Sequence, residues 1–76
     1  MNAIYDVTIN GRTYRPRTFN PFASANIAVG FRNADTRKET VDFVSRLYSV
    51  DDRRAFQIAR HFMNRTDRMR SLPLPA

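Results

Sequence analysis

The chain has 76 residues, which is enough for one domain with a single small hydrophobic core. It contains no cysteine and no apolar run of the length that a membrane span needs, so disulfide frameworks, thiolate metal sites and transmembrane proteins are excluded by composition. Thirteen basic residues, 12 of them arginine, oppose seven acidic ones, and the resulting net charge of +6 should attract polyanions.

Residues 3–19 have the pattern of an antiparallel β-hairpin. Strand-forming residues precede Asn10 and Gly11, a pair that tolerates the positive φ angles of a type I′ turn. A loop of this length fixes the register, which pairs Val7 with Tyr14, Ile9 with Arg12 and Asp6 with Arg15. The apolar face of the hairpin, which other elements must cover, consists of Tyr5, Val7, Ile9 and Tyr14.

Three arginines, Arg12, Arg15 and Arg17, lie on the second half of this hairpin with Tyr14 among them. Such a basic ribbon can contact phosphate groups while the aromatic ring stacks on a base. The same residues also suit an ordinary solvated sheet edge with the tyrosine in the core. Both interpretations stay open.

Residues 20–34 are ambiguous between strand and helix. As a strand, this stretch would place most of its larger apolar residues on one face, whereas a helix would scatter them around its circumference. Gly30 would also weaken the interior of a helix. We therefore predict a loop or short helical turn over 20–25 and a third strand near 26–32. The apolar residues concerned are Phe22, Ile27, Val29 and Phe31.

Residues 36–63 carry the helical periodicity of the chain. Thr36 and Glu39 match a capping box, and residues 49–52 repeat a capping pattern. The spacing predicts two amphipathic helices joined by a tight turn at 48–50. The first apolar stripe consists of Val41, Val44, Leu47 and Tyr48, with Phe43 at its margin. The second consists of Ala55, Phe56, Ile58, Ala59, Phe62 and Met63.

These elements together predict an α+β fold. An N-terminal antiparallel β-hairpin, extended to a three-stranded sheet in the order β-β-β, would pack against two C-terminal α-helices that form a helical hairpin. We expect a single small domain over 1–70. Residues 71–76 include two prolines and are expected to form a flexible tail.

The helical pair resembles a helix-turn-helix. The resemblance lies in Val44-Ser45 of the first helix, Tyr48-Ser49-Val50 at the turn, and Ala55 and Ile58 of the second helix. It implies that the second helix would enter the major groove of DNA. Two features depart from the family's pattern. Ser49 stands where the family favours glycine, and the second helix begins with Asp51-Asp52, which phosphates would repel.

The outward face of the second helix is the candidate binding surface. Arginine and glutamine are the residue types that contact guanine and adenine edges, although the same face also suits a solvated helical hairpin with no partner. The candidate residues that bind nucleic acid or another partner are Arg53, Arg54, Gln57, Arg60 and His61, together with Arg12, Arg15 and Arg17.

No catalytic or metal-binding motif is present in the sequence. His61 is the sole histidine, and it lacks a second histidine or cysteine with which to share a metal ion. Asp51-Asp52 have no calcium-loop spacing, and the two glycines form no phosphate-binding loop. We therefore expect a protein that is not an enzyme and that binds neither a cofactor nor a metal.

Three functions fit a small basic binding protein. The favoured one is a nucleic-acid-binding accessory or regulatory module that uses the arginine-rich helix face. The alternative is a protein-binding inhibitor encoded by a phage or mobile element, similar in size and type to host-takeover and anti-defence proteins such as anti-CRISPR proteins. It would dock on an acidic protein or ribonucleoprotein surface. The third is a structural or assembly subunit.

We expect the chain to act without a membrane, as a monomer or homodimer. The N-terminus lacks the basic start and apolar run of a signal peptide, so a cytoplasmic location is expected, in the host cell if a phage encodes the protein. The sequence leaves open whether the partner is DNA, RNA or protein.

Overall fold

The structure is a computed structural model that describes residues 5–18 and 23–71. These residues form an α+β fold, as predicted, but with two strands and three helices. The strands are β1, Val7–Ile9, and β2, Arg12–Tyr14; the helices are α1, Ala23–Arg32, α2, Arg37–Tyr48, and α3, Asp52–Ser71. Each helix packs against both of the others.

The β-hairpin has the predicted turn and register. Asn10 and Gly11 have φ angles of 52° and 81°, the positive values that a type I′ turn requires. The strand pairs are Val7 with Tyr14, Thr8 with Thr13 and Ile9 with Arg12. Beyond the strands, Nε of Arg15 lies 3.2 Å from the carboxylate of Asp6, so the predicted pairing continues for another step.

The predicted third strand near 26–32, and with it the three-stranded sheet, is wrong because this segment forms α1. The prediction placed Val29 on an apolar face, but this side chain is 63% exposed. Ala28, which the strand pattern placed on the opposite face, supplies part of the core instead. The buried residues of α1 are Ile27, Ala28 and Phe31, at spacings that one face of a helix brings together.

Gly30 is a packing residue between α1 and α2. A Cβ atom on this residue would lie 2.2 Å from Oγ1 of Thr40. The Thr40 hydroxyl donates to the Thr36 carbonyl at 2.9 Å, and the Thr36 hydroxyl donates to the Gly30 carbonyl at 2.7 Å. The predicted capping box does not form, because the Thr36 hydroxyl bonds to α1 and makes no cap to α2.

The core joins all three helices to the hairpin. Its buried residues are Val7, Ile27, Phe31, Val44, Tyr48, Ala55, Ile58, Ala59 and Phe62.

The Tyr48 hydroxyl donates to the Tyr5 carbonyl at 2.7 Å, which fixes the start of the hairpin to the end of α2. Burial, together with the nearby Asp6, raises the pKa of the Tyr48 phenol far above its usual range. The Arg17 amide donates to the Leu47 carbonyl at 2.7 Å and fixes the other end of the hairpin.

The turn between α2 and α3 lies where the spacing predicts it. Ser49 has φ 54° and ψ 51°, a left-handed conformation. The Val50 amide donates to the Ser45 carbonyl at 3.1 Å, and the Ser45 hydroxyl donates to the Val50 carbonyl at 2.8 Å. Oδ1 of Asp51 accepts from the Arg54 amide at 2.8 Å, so this aspartate caps α3. The predicted capping pattern over 49–52 begins at Ser49, but Ser49 is the C-cap residue of α2 and does not cap α3.

Several predictions concern residues outside the described ranges. These are residues 3–4 and 19 of the hairpin predicted over 3–19, residues 20–22 of the loop or helical turn predicted over 20–25, and residues 72–76 of the tail predicted over 71–76. At its described end, α3 continues through Ser71.

Replacing Gly30 by alanine should destabilise the fold, because the new methyl group overlaps the Thr40 side chain. We expect a loss of about 1–3 kcal/mol in the free energy of unfolding, even though alanine favours a helix by about 1 kcal/mol. Urea denaturation measures this change. In a Thr40→Ala background the same substitution should be close to neutral or stabilising. An equal loss in both backgrounds would contradict this packing.

Replacing Ser49 by glycine should stabilise the protein by about 0.5–1 kcal/mol, because glycine adopts the left-handed conformation without a Cβ penalty. The matched control is Ser45→Gly, which should destabilise the protein because it puts glycine inside α2 and removes the hydroxyl bond to Val50. A loss of stability in Ser49→Gly would show that the left-handed turn is misassigned.

Candidate functional site

Helix α3 contributes most of the net positive charge of the chain. Its 20 residues include six arginines and two aspartates, so it contributes +4 of the net charge of +6. The buried residues Ala55, Ile58, Ala59 and Phe62 face the core. Arg53, Arg60 and Arg68 are exposed on the outward side of the helix, and Arg54 and Arg65 are half-buried.

Tyr14 joins the hairpin to α3. Its half-buried ring contacts two guanidinium groups, since the Cζ atoms of Arg12 and Arg54 each lie 5.3 Å from the ring centroid. Nη1 of Arg54 also donates to Oε1 of Gln57 at 2.7 Å. We refer to Arg12, Tyr14, Arg54 and Gln57 as the Tyr14 cluster. Two elements distant in sequence thus form one continuous basic surface.

A shallow groove lies next to the Tyr14 cluster and shares Gln57 with it. The groove has a volume of about 630 Å³ and is lined by Val41, Asp52, Arg53, Phe56, Gln57 and Arg60. We call it the Phe56 groove. Phe56 was predicted to belong to the apolar stripe, but it is 40% exposed. Its ring contacts Phe31 of the core, with a centroid distance of 4.8 Å and an angle of 74° between the ring planes.

The other two hairpin arginines lie apart from these sites. Arg15 pairs with Asp6 on the opposite face of the hairpin from Tyr14. Arg17 lines a separate groove that contains no residue of α3. The other residues of this groove are Thr18, Phe43, Arg46 and Leu47. The structure therefore brings Arg12 together with the helix candidates and leaves Arg15 and Arg17 elsewhere.

His61 is half-buried on α3, with its ring edge against Phe62 at a centroid distance of 5.6 Å. Burial lowers its pKa below the usual value, and the charges of Arg65 and Arg68 lower it further. The imidazole is therefore largely neutral at pH 7. Within residues 5–18 and 23–71, no group of three histidine, cysteine or acidic side chains is placed to hold a metal ion.

The acidic residues of α3 have distinct environments. Asp51, just before the helix, uses its carboxylate to cap it, and Asp67 pairs with Arg32 at the end of α1. Asp52 lines the Phe56 groove. The acidic start of α3, which departs from the helix-turn-helix pattern, thus consists of one structural carboxylate and one exposed carboxylate beside the groove.

Sequence reasoning missed Phe56 and Asp52 as site residues and Tyr14 as the link between elements. The register of the hairpin did place Arg12 and Tyr14 on one face, which was the available signal. Which helix covers that face depends on packing between distant segments, and no local pattern encodes it.

Comparison of the chain with protein-family models, with curated proteins and with solved structures gave no match. Among the described residues, no helix combines the length and the apolar character needed to cross a membrane.

Folding stability should fall as the pH decreases from about 7.5 to 5.5, in part through His61. Its pKa is lower in the folded chain than the usual 6.5, so the unfolded chain binds more protons in this range. The free energy of unfolding is therefore unaffected by His61 at pH values well above 6.5, the usual pKa that applies in the unfolded chain. It decreases as the pH falls through that value. Urea denaturation of His61→Gln across this range should give a flatter dependence. Identical slopes for both proteins would contradict the assignment.

Proposed function

We propose that the protein binds nucleic acid through a surface formed by α3 and the hairpin, and that it acts as an accessory or regulatory module without catalysis. The observation that carries the proposal is the Tyr14 cluster. It places Arg12 of the hairpin and Arg54 of α3 at the same distance from one aromatic ring, 5.3 Å.

The cluster is suited to a polyanion because its guanidinium groups are held in place. Contact with the Tyr14 ring leaves the N–H groups at the guanidinium edge able to donate to phosphate or base acceptors. The bond to Gln57 further limits the rotamers of Arg54, which reduces the entropy lost on binding. Arg53 and Arg60, exposed on the same helix, extend the positive surface.

The geometry of the turn supports the helix-turn-helix resemblance. Ser49 is left-handed at the position where the family favours glycine, and Val44, Tyr48, Ala55 and Ile58 are buried at the positions that the resemblance requires. Since Asp51 caps α3, its negative charge is partly offset by the helix amides and the positive end of the helix dipole.

Binding should weaken steeply as salt rises, because each phosphate contact releases a counterion. Fluorescence anisotropy with DNA and RNA across a salt series measures this slope. In Arg54→Gln the slope should fall by about 0.9, the value of one lost phosphate contact on duplex DNA. The charge-matched control is Arg46→Gln, in the groove that contains no α3 residue, and it should leave the slope unchanged.

Absence of binding to both DNA and RNA at about 50 mM salt would overturn the proposed function. Equal effects of Arg54→Gln and Arg46→Gln would assign the binding to diffuse net charge instead of this surface.

A protein-binding inhibitor, of the mobile-element kind described above, is the second candidate. Phe43 favours it, since this side chain is 40% exposed and lines two grooves, one with Arg17, Thr18, Arg46 and Leu47 and one with residues of α1 and α2. An exposed aromatic ring beside arginines is typical of protein interfaces. A stable complex with one protein, together with no binding to naked nucleic acid, would support this candidate over the first.

A further inference from the structure

The Phe56 groove holds polar groups that the protein itself leaves unused. Among residues 5–18 and 23–71, no ion pair or side-chain hydrogen bond engages Asp52, Arg53 or Arg60. Gln57 uses its Oε1 to accept from Arg54, which leaves its amide NH₂ group as a donor. The groove therefore offers one carboxylate acceptor and several donors around an exposed aromatic ring.

Phe56 is positioned as a stacking platform. Its edge-on contact with Phe31, at 74° between ring planes, restrains the ring from the core side, while 40% of the residue stays exposed. Stacking of a base on such a ring is favourable for unpaired bases and is closed to bases inside a duplex.

The residues around the ring follow one line along α3. Asp52, Phe56 and Arg60 are spaced four residues apart, so they lie on one face of the helix over about 12 Å. A base stacked on Phe56 would place one edge near Asp52, and its phosphate would lie toward Arg60. The Phe56 ring thus lies between a negative charge at Asp52, which would face the base, and a positive charge at Arg60, which would face the phosphate.

Guanine matches these groups best. Its N1–H and N2–H groups form a donor pair for a carboxylate, and its O6 and N7 atoms are acceptors for arginine or glutamine. Thymine and uracil present a single ring N–H donor and would leave the Asp52 carboxylate poorly satisfied.

We propose that the Phe56 groove binds an unpaired guanine nucleotide of a single strand, with the base on Phe56, its donor edge on Asp52 and its phosphate on Arg60. This inference rests on the proposed function. Gln57 belongs both to the groove and to the Tyr14 cluster, so the strand continues from the groove onto the basic surface of the cluster.

The test compares two labelled single strands of about eight nucleotides, oligothymidine and the same strand with one central guanosine, by fluorescence anisotropy at low salt. The guanosine should raise the affinity of the wild-type protein about tenfold. Free 5′-GMP, used as a competitor, should bind at least about tenfold more weakly than the guanosine strand, because it lacks the neighbouring phosphates. Equal affinities for 5′-GMP and for the guanosine strand would overturn the proposal that the groove binds a nucleotide within a strand.

Two variants place the preference in the groove. In Asp52→Asn the preference for guanosine should fall below about twofold without weaker binding of oligothymidine, because a negative charge is removed. In Phe56→Leu, which keeps apolar contact with Phe31 but removes the platform, both strands should bind more weakly and the preference should be lost.

The matched controls are Asp42→Asn and Phe43→Leu, exposed residues of α2 that lie outside the groove, and both should keep the tenfold preference. Circular dichroism shows whether each variant is folded, and the exposed Asp52→Asn tests the site even if Phe56→Leu is unstable.

The outcomes separate the two proposals. Binding of nucleic acid without a preference for guanosine would overturn the groove assignment and leave the proposed function intact. A preference that persists in Asp52→Asn would also overturn it. Absence of binding to any strand or duplex would overturn both.

Discussion

The burial of one apolar stripe of α3 is the constraint on which the rest of the structure depends. Ala55, Ile58, Ala59 and Phe62 are almost fully removed from solvent, and α1, α2 and the hairpin supply the apolar residues that join them in one core. Because so small a chain has a single core, no other surface is available for this stripe. The orientation that buries it also fixes which side of α3 faces outward, and Arg53, Arg60 and Arg68 are exposed on that side.

The hairpin takes part in this arrangement because both of its ends are fixed to α2. The bonds from Tyr48 to the Tyr5 carbonyl and from Arg17 to the Leu47 carbonyl hold it beside the helices. With the hairpin so placed, Tyr14 lies against Arg54, and two basic segments that are separate in sequence become one surface. Fold and candidate site therefore share the same contacts, and loss of hairpin docking should impair both.

Local chemistry explains what could be predicted from sequence. The turn at Asn10-Gly11, the register of the hairpin and the stripes of α2 and α3 follow from turn geometry and periodicity, which act over a few residues. Helix α1 could not be recognised, because its glycine serves contact with Thr40 and its core face includes a small alanine, both of which depend on distant residues. The register of the hairpin separates Arg12 from Arg15, which lies on the opposite face. The contact of Arg12 and Tyr14 with Arg54 depends on packing between distant segments, so Arg12 could not be grouped with Arg54 from the sequence.

The central claim is that hairpin and helix act as one nucleic-acid-binding surface, and a double-mutant cycle tests it most directly. Binding is measured at low salt for Arg12→Gln, Arg54→Gln and the double variant, in the wild-type background and in Tyr14→Leu, which keeps an apolar side chain against the core. We expect a coupling between the two arginines of about 0.5–1 kcal/mol that disappears in Tyr14→Leu. Additive effects in the wild-type background would contradict it.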